Sequence, residues 1–106
     1  MRTLYFHVDQ QRLLKDKDCD FTHIVAGSSG YLKASFVFSD EWAGCKKAAS
    51  FYVDEQEYAV LLDKNNNCII PQEALVGAEF YISVTGAKSG GYKIPTNRIK
   101  ITQEVS

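Results

Sequence analysis

Asp16, Asp18 and Asp20 stand at alternate positions, the D-x-D-x-D opening of a calcium-binding loop. Such a loop needs a glycine next for its sharp turn and a bidentate acid at its end. Phe21 and Gly27 occupy those places, so the motif fails twice. The three carboxylates read instead as a solvated acidic edge that discourages sheet-to-sheet pairing. Asp40 and Glu41 are adjacent carboxylates, and paired carboxylates do acid–base work only when they converge on one bond. Sequence neighbours diverge, and these two read as first-turn acids beside Trp42. His7 shares a strand face with Tyr5, and His23 is expected to be half-buried; neither has an organised acid or thiol partner in the sequence. Ser28 and Ser29 lie between glycines but lack the G-x-S-x-G of a nucleophile elbow. Lys88-Ser89-Gly90-Gly91-Tyr92 lacks the order of a phosphate-binding loop and reads as a hairpin tip. The expectation is a protein that is not an enzyme and has no cofactor and no metal site.

Cys19, Cys45 and Cys68 make an odd count at wide spacing with no C-x-x-C, which argues against both a disulfide framework and a zinc centre. The opening Met1-Arg2-Thr3-Leu4-Tyr5-Phe6-His7-Val8-Asp9 meets a charge too soon for a signal peptide, so reduced thiols in the cytoplasm where the chain is made are expected. Cys68, two residues before Ile70, reads as a small core hydrophobe, and Cys45 falls in a loop.

A chain of 106 residues that is 45% hydrophobic suits one domain with a real core. Twelve basic against 13 acidic side chains give a net charge of −1, which offers nothing to a phosphate backbone unless a local basic patch forms. The apolar runs are too short to span a membrane. Neither nucleic acid nor membrane is expected as a partner.

Period-2 alternation dominates: Leu4, Phe6 and Val8; Leu32, Ala34, Phe36 and Phe38; Tyr58, Val60 and Leu62; Phe80, Ile82 and Val84; Ile99 and Ile101. Each run is the pattern of a strand buried on one face. Turn signals at 27–30, 54–56, 63–67 and 89–91 separate them, and Leu61 to Ile69 reads as a hairpin with asparagines at its tip. Pro71 and Glu73 open a short helical turn that Gly77 ends, and Ser39 is placed to cap a second at 39–42. The fold expected is all-β: an immunoglobulin-like antiparallel β-sandwich of seven to nine strands with one or two single-turn helices. Its core is expected to hold Leu4, Phe6, Leu32, Ala34, Phe36, Phe38, Trp42, Phe51, Val60, Leu62, Ile70, Leu75, Phe80, Ile82, Val84, Ile99 and Ile101.

Tyr5, Tyr31 and Tyr81 fall on the polar phase of their strands. Exposed tyrosines on a sheet suit a protein interface or a sugar platform, and equally suit cross-strand packing. Tyr5, His7, Tyr31 and Tyr81 are therefore the candidate interface, with the strand Thr3–Val8 as an edge for pairing.

Phe36-Val37-Phe38-Ser39-Asp40-Glu41-Trp42, Lys47-Ala48-Ala49-Ser50-Phe51, Val60-Leu61-Leu62 and Cys68-Ile69-Ile70-Pro71-Gln72-Glu73-Ala74-Leu75 follow in order. Phe80-Tyr81-Ile82-Ser83-Val84-Thr85-Gly86 and Pro95-Thr96-Asn97-Arg98-Ile99 complete the set. Together they resemble the small β-sandwich domain of tail-tip, baseplate or fibre proteins of phages and prophages of Gram-positive bacteria. The resemblance covers about two-thirds of the chain and makes Trp42, Pro71 and Leu75 fold markers. It implies a virion structural or accessory protein whose partners are other virion proteins. The strand Thr3–Val8, with no proline or inward charge to blunt it, adds the expectation of a homo-oligomer or of docking on a larger ring. In the resembling proteins the domain leads into a longer fibre, whereas this chain stops at Ser106, which favours an adaptor or decoration role. Two alternatives stand beside it: a small phage-encoded inhibitor of a host defence protein, and a carbohydrate-binding module.

Overall fold

A computed structural model describes residues 1–105 and gives an all-β sandwich of nine strands and two single-turn 3-10 helices. The strands are β1 (Arg2–Asp9), β2 (Arg12–Lys15), β3 (Leu32–Phe38), β4 (Lys46–Val53), β5 (Gln56–Leu61), β6 (Asn67–Ile69), β7 (Glu79–Lys88), β8 (Tyr92–Pro95) and β9 (Ile99–Thr102). One sheet runs β2-β1-β3-β6; the other runs β5-β4-β7-β8, with β9 also on β7. Among the described residues the named strands pair antiparallel except β1 with β3, which run parallel with Leu4 beside Ala34 and Phe6 beside Phe36. An isolated bridge, Val25 to Glu104, is parallel as well. The β1–β3 pair departs from the purely antiparallel expectation. The long segment between Lys15 and Leu32 carries the chain back to the start of β1 and lets it run the same way.

The alternating residues point inward as the pattern dictates. Leu4, Phe6, Leu32, Ala34 and Phe36 of the first sheet meet Phe51, Phe80, Ile82, Val84 and Ile101 of the second in one continuous core. Phe38, Val60, Leu62 and Ile99 are only half-buried and line its margin, at strand ends or on edge strands. Leu13, Ile24, Cys45, Ala49, Ala74 and Ile94, not expected in the core, are buried in it. Cys68 is buried, and that burial, then the charge of Asp63, push its thiol up to about 12, so at neutral pH it packs as a small hydrophobe.

Leu61 to Ile69 is not a hairpin: β5 pairs with β4 in one sheet and β6 with β3 in the other. The asparagines instead turn the chain from sheet to sheet. Asp63 Oδ1 accepts the N–H groups of Asn65 (2.8 Å) and Asn67 (3.0 Å), and Asn66 takes a positive φ of 63°. The return crossing is the 3-10 turn Gln72–Leu75, where Pro71 is the residue before the turn and Ile70 and Leu75 are its buried anchors.

The other 3-10 turn, Asp40–Trp42, sets Trp42 fully inside the sandwich. Ser39 does not cap it; the hydroxyl accepts Gln10 N–H at 2.9 Å and donates to Glu41 at 2.8 Å. The indole N–H of Trp42 donates to the Gln10 carbonyl at 2.8 Å. Gln10 has a φ of 57°, uncommon for a non-glycine, and its own N–H and C=O are both held by this pair. Residues 95–99 tie the second sheet to the first just beyond the same β1–β2 turn. Thr96 Oγ1 accepts Val84 N–H at 2.9 Å where β7 passes from β8 to β9, and Asn97 Oδ1 accepts Leu13 N–H at 2.7 Å from the other sheet.

Candidate functional site

The outward residues of the first sheet form a surface richer in apolar side chains than a solvated face requires. Register places Leu14, His7 and Val37 side by side across β2, β1 and β3. One step along, Tyr5, Ser35 and Asn67 form the next row, followed by Thr3, Lys33 and Ile69. Tyr31 continues the same phase just before β3. Leu14, Tyr5, Val37, Tyr31 and Ile69 are all exposed, Val37 the most at 58%. Their arrangement needs no special backbone: it is the reverse side of the pleat whose other side fills the core.

Three of the four expected interface residues, Tyr5, His7 and Tyr31, therefore share this face. Tyr81 does not. It lies on β7, opposite Tyr52 of β4 and Lys100 of β9, on the outer surface of the other sheet. The tyrosines are split between the two outer faces and build no single stacking platform. Nor is the strand Thr3–Val8 a free edge: β3 pairs along one side and β2 pairs the other from Phe6 onward. Before Phe6, Asp16 N–H donates to the Tyr5 carbonyl and Cys19 Sγ accepts the Tyr5 N–H. Val37, Leu14 and Ile69 were not singled out in the sequence, where the strand phase alone marked Val37 as outward and nothing marked β2.

His7 sits in the middle of the apolar patch. Its Nε2 is 2.8 Å from Asp16 Oδ2, so the carboxylate expected to be a free edge charge belongs to the histidine. Asp18 N–H donates to Asp16 Oδ1 at 2.8 Å; that bond first, then the His7 side chain, holds the Asp16 carboxyl below its ordinary 3.8. Asp20 is lowered in the same way by the hydroxyl and then the N–H of Thr22, and Glu41 by the Ser39 hydroxyl. Asp16, Asp20 and Glu41 thus each hold a nearby turn, and Asp16 also holds the His7 ring. His23 is exposed rather than half-buried, with Nδ1 3.0 Å from Glu104. Among the described residues no group of three or more His, Cys, Asp or Glu side chains is placed to hold a metal ion, and no helix is long and apolar enough to cross a membrane.

A pH dependence follows with a definite sign. A carboxyl held below its unfolded value stabilises the fold above that value, and the stabilisation is lost as pH falls through the lower, folded one. With Asp16, Asp20 and Glu41 all lowered, thermal stability is expected to hold steady near neutrality and fall below about pH 4. Asp16→Asn should make that fall shallower; an unchanged acid limb in differential scanning fluorimetry would remove Asp16 from the account.

No protein-family model matches the chain, and no curated protein matches it significantly.

Proposed function

We propose that this chain is a structural or accessory part of a phage or prophage particle, working through protein–protein contacts in a tail, baseplate or capsid surface. The observation that carries this reading is the cluster of exposed apolar side chains around the His7–Asp16 pair on the outer face of β2-β1-β3-β6. Exposed apolar and aromatic side chains interleaved with a few polar groups are the composition of a contact surface. A rigid sheet presents it without an ordering penalty on binding. The order of the F-S-D-E-W turn, the I-P-x-E-x-L turn and the V-x-G strand end supplies the virion part of the reading, by resemblance. Its partner is another virion protein that covers this face.

Mass spectrometry of particles produced from the genome that encodes the chain tests it. The wild-type chain is expected in purified particles at a fixed ratio to the major proteins. Val37→Asp, on an exposed position, should leave the thermal unfolding temperature within a few degrees and reduce incorporation by roughly tenfold or more, as a charge in an interface centre does. Recovery of the chain only in the host cytosol, bound to a host protein, would replace the virion role with the inhibitor role. Full incorporation of the variant would move the contact to another face.

A further inference from the structure

The edges of the two sheets are unequally protected. β2 has four residues, ends in Lys15 and begins with Arg12; β6 has three; β8 ends at Pro95. Short length, basic side chains and proline are the ordinary means of closing an edge to another strand. β5 has none of them. It is six residues long, Gln56-Glu57-Tyr58-Ala59-Val60-Leu61, with one charge and no proline, and it pairs only with β4.

Which of its backbone groups are free follows from the ladder. Leu62 N–H donates to Lys47 C=O at 2.9 Å, and the register continues as Val60 with Ala49 and Tyr58 with Phe51. Hydrogen-bonded pairs alternate along an antiparallel ladder, so Gln56, Tyr58 and Val60 face β4. Glu57, Ala59 and Leu61 point their N–H and C=O groups away from it, at the open edge.

We propose that this edge takes β5 of a second copy of the chain, antiparallel about a twofold axis at Ala59, joining two five-stranded sheets into one. This surface is separate from the virion contact proposed above and does not depend on it. The strand's own sequence selects the occupant. Centring the axis on Ala59 uses all three free positions: Ala59 pairs with its counterpart, and Glu57 stands opposite the second copy's Leu61, so no like charges meet. Tyr58 then stands opposite the second copy's Val60, and Val60 opposite its Tyr58. These are close, non-hydrogen-bonded pairs of an aromatic with a β-branched residue, the favourable kind of cross-strand neighbour. Leu61, 73% exposed, gains a neighbour across the new pair. A twofold closes the assembly at two copies and prevents open-ended growth.

Analytical ultracentrifugation of the purified chain across the micromolar range, with amide hydrogen exchange at dilute and concentrated ends, tests the proposal. The expected mass rises from 11.9 kDa toward twice that value with concentration. The amides of Glu57, Ala59 and Leu61 should become protected on concentration, while those of Tyr58 and Val60 are already protected by β4. Ala59→Pro removes one of the free N–H groups and none from the β4 ladder, a position where a strand tolerates proline. It should keep the circular dichroism spectrum and weaken the dimer by at least about tenfold, the loss of paired hydrogen bonds at its centre. Ala59→Lys, which sets two like charges face to face at the axis, should do the same if the proline variant does not fold. A monomer throughout overturns the proposal and leaves the edge for an extended segment of another protein. A dimer that survives both variants, or whose concentration-dependent protection falls on β1–β3 instead, overturns it as well.

Discussion

Trp42→Ala is expected to lower the stability of this sandwich by about 3–5 kcal/mol, the range for deleting a large aromatic from a packed core. Trp42 has no exposed surface, and its ring lies 5.0 Å from that of Phe38. The loss has two sources. One is the cavity left at the end of the sandwich, which the strand ends around it are too well paired to fill by collapse. The other is the Gln10 carbonyl, which accepts the indole N–H at 2.8 Å and would lose that partner. Gln10 is already in the left-handed region, so its turn has little stability to spare. Trp42→Phe separates the sources: it retains most of the ring and deletes the donor, and should cost about 1–3 kcal/mol. Urea unfolding monitored by far-ultraviolet circular dichroism measures both. A change below about 1 kcal/mol for Trp42→Ala would contradict the packing described for this end of the molecule.

What could be read from the residues, and what could not, divides along a physical line. Wherever alternation was long, as in Leu32–Phe38 and Phe80–Val84, strand and buried face both followed, since only one phase of a pleat can enter the core. β2 escaped because Leu13 is its single buried residue, and because the turn before it is carried by Gln10 in a conformation that side chain seldom takes. What holds that turn is Ser39 and Trp42, some thirty residues away, and no local pattern can signal it. The Asp63–Asn67 turn looked like a hairpin for the converse reason. Its residues do form a tight turn, but whether the next strand returns to the same sheet depends on the partners available to β6. The surface followed the same division. Phase put Tyr5, His7 and Tyr31 outward correctly, but which sheet each strand joins decided that Tyr81 faces the opposite way, and that β1 is interior while β5 is the open edge.

Gly86→Ala is the sharper test of how two distant stretches of the chain are matched. Within a strand, alanine ordinarily improves on glycine by roughly 0.5–1 kcal/mol. The opposite sign is expected here. A Cβ on Gly86 would come within 2.8 Å of Trp42 Cε3 and Cζ3 and 3.2 Å of Cys45 Cβ. The indole cannot retreat, because Phe38 packs against it and Gln10 holds its N–H. Overpacking of this kind costs about 1–3 kcal/mol. The glycine that ends the V-T-G stretch and the tryptophan that ends F-S-D-E-W, 44 positions apart in the sequence, are thus one structural feature. A double-mutant cycle isolates their coupling. In a Trp42→Leu background the ring is gone, and Gly86→Ala should lose most of its penalty, giving an interaction energy of about 1–2 kcal/mol. If alanine at 86 stabilises the wild type, or costs the same in both backgrounds, then close approach to the indole is not why this strand carries a glycine.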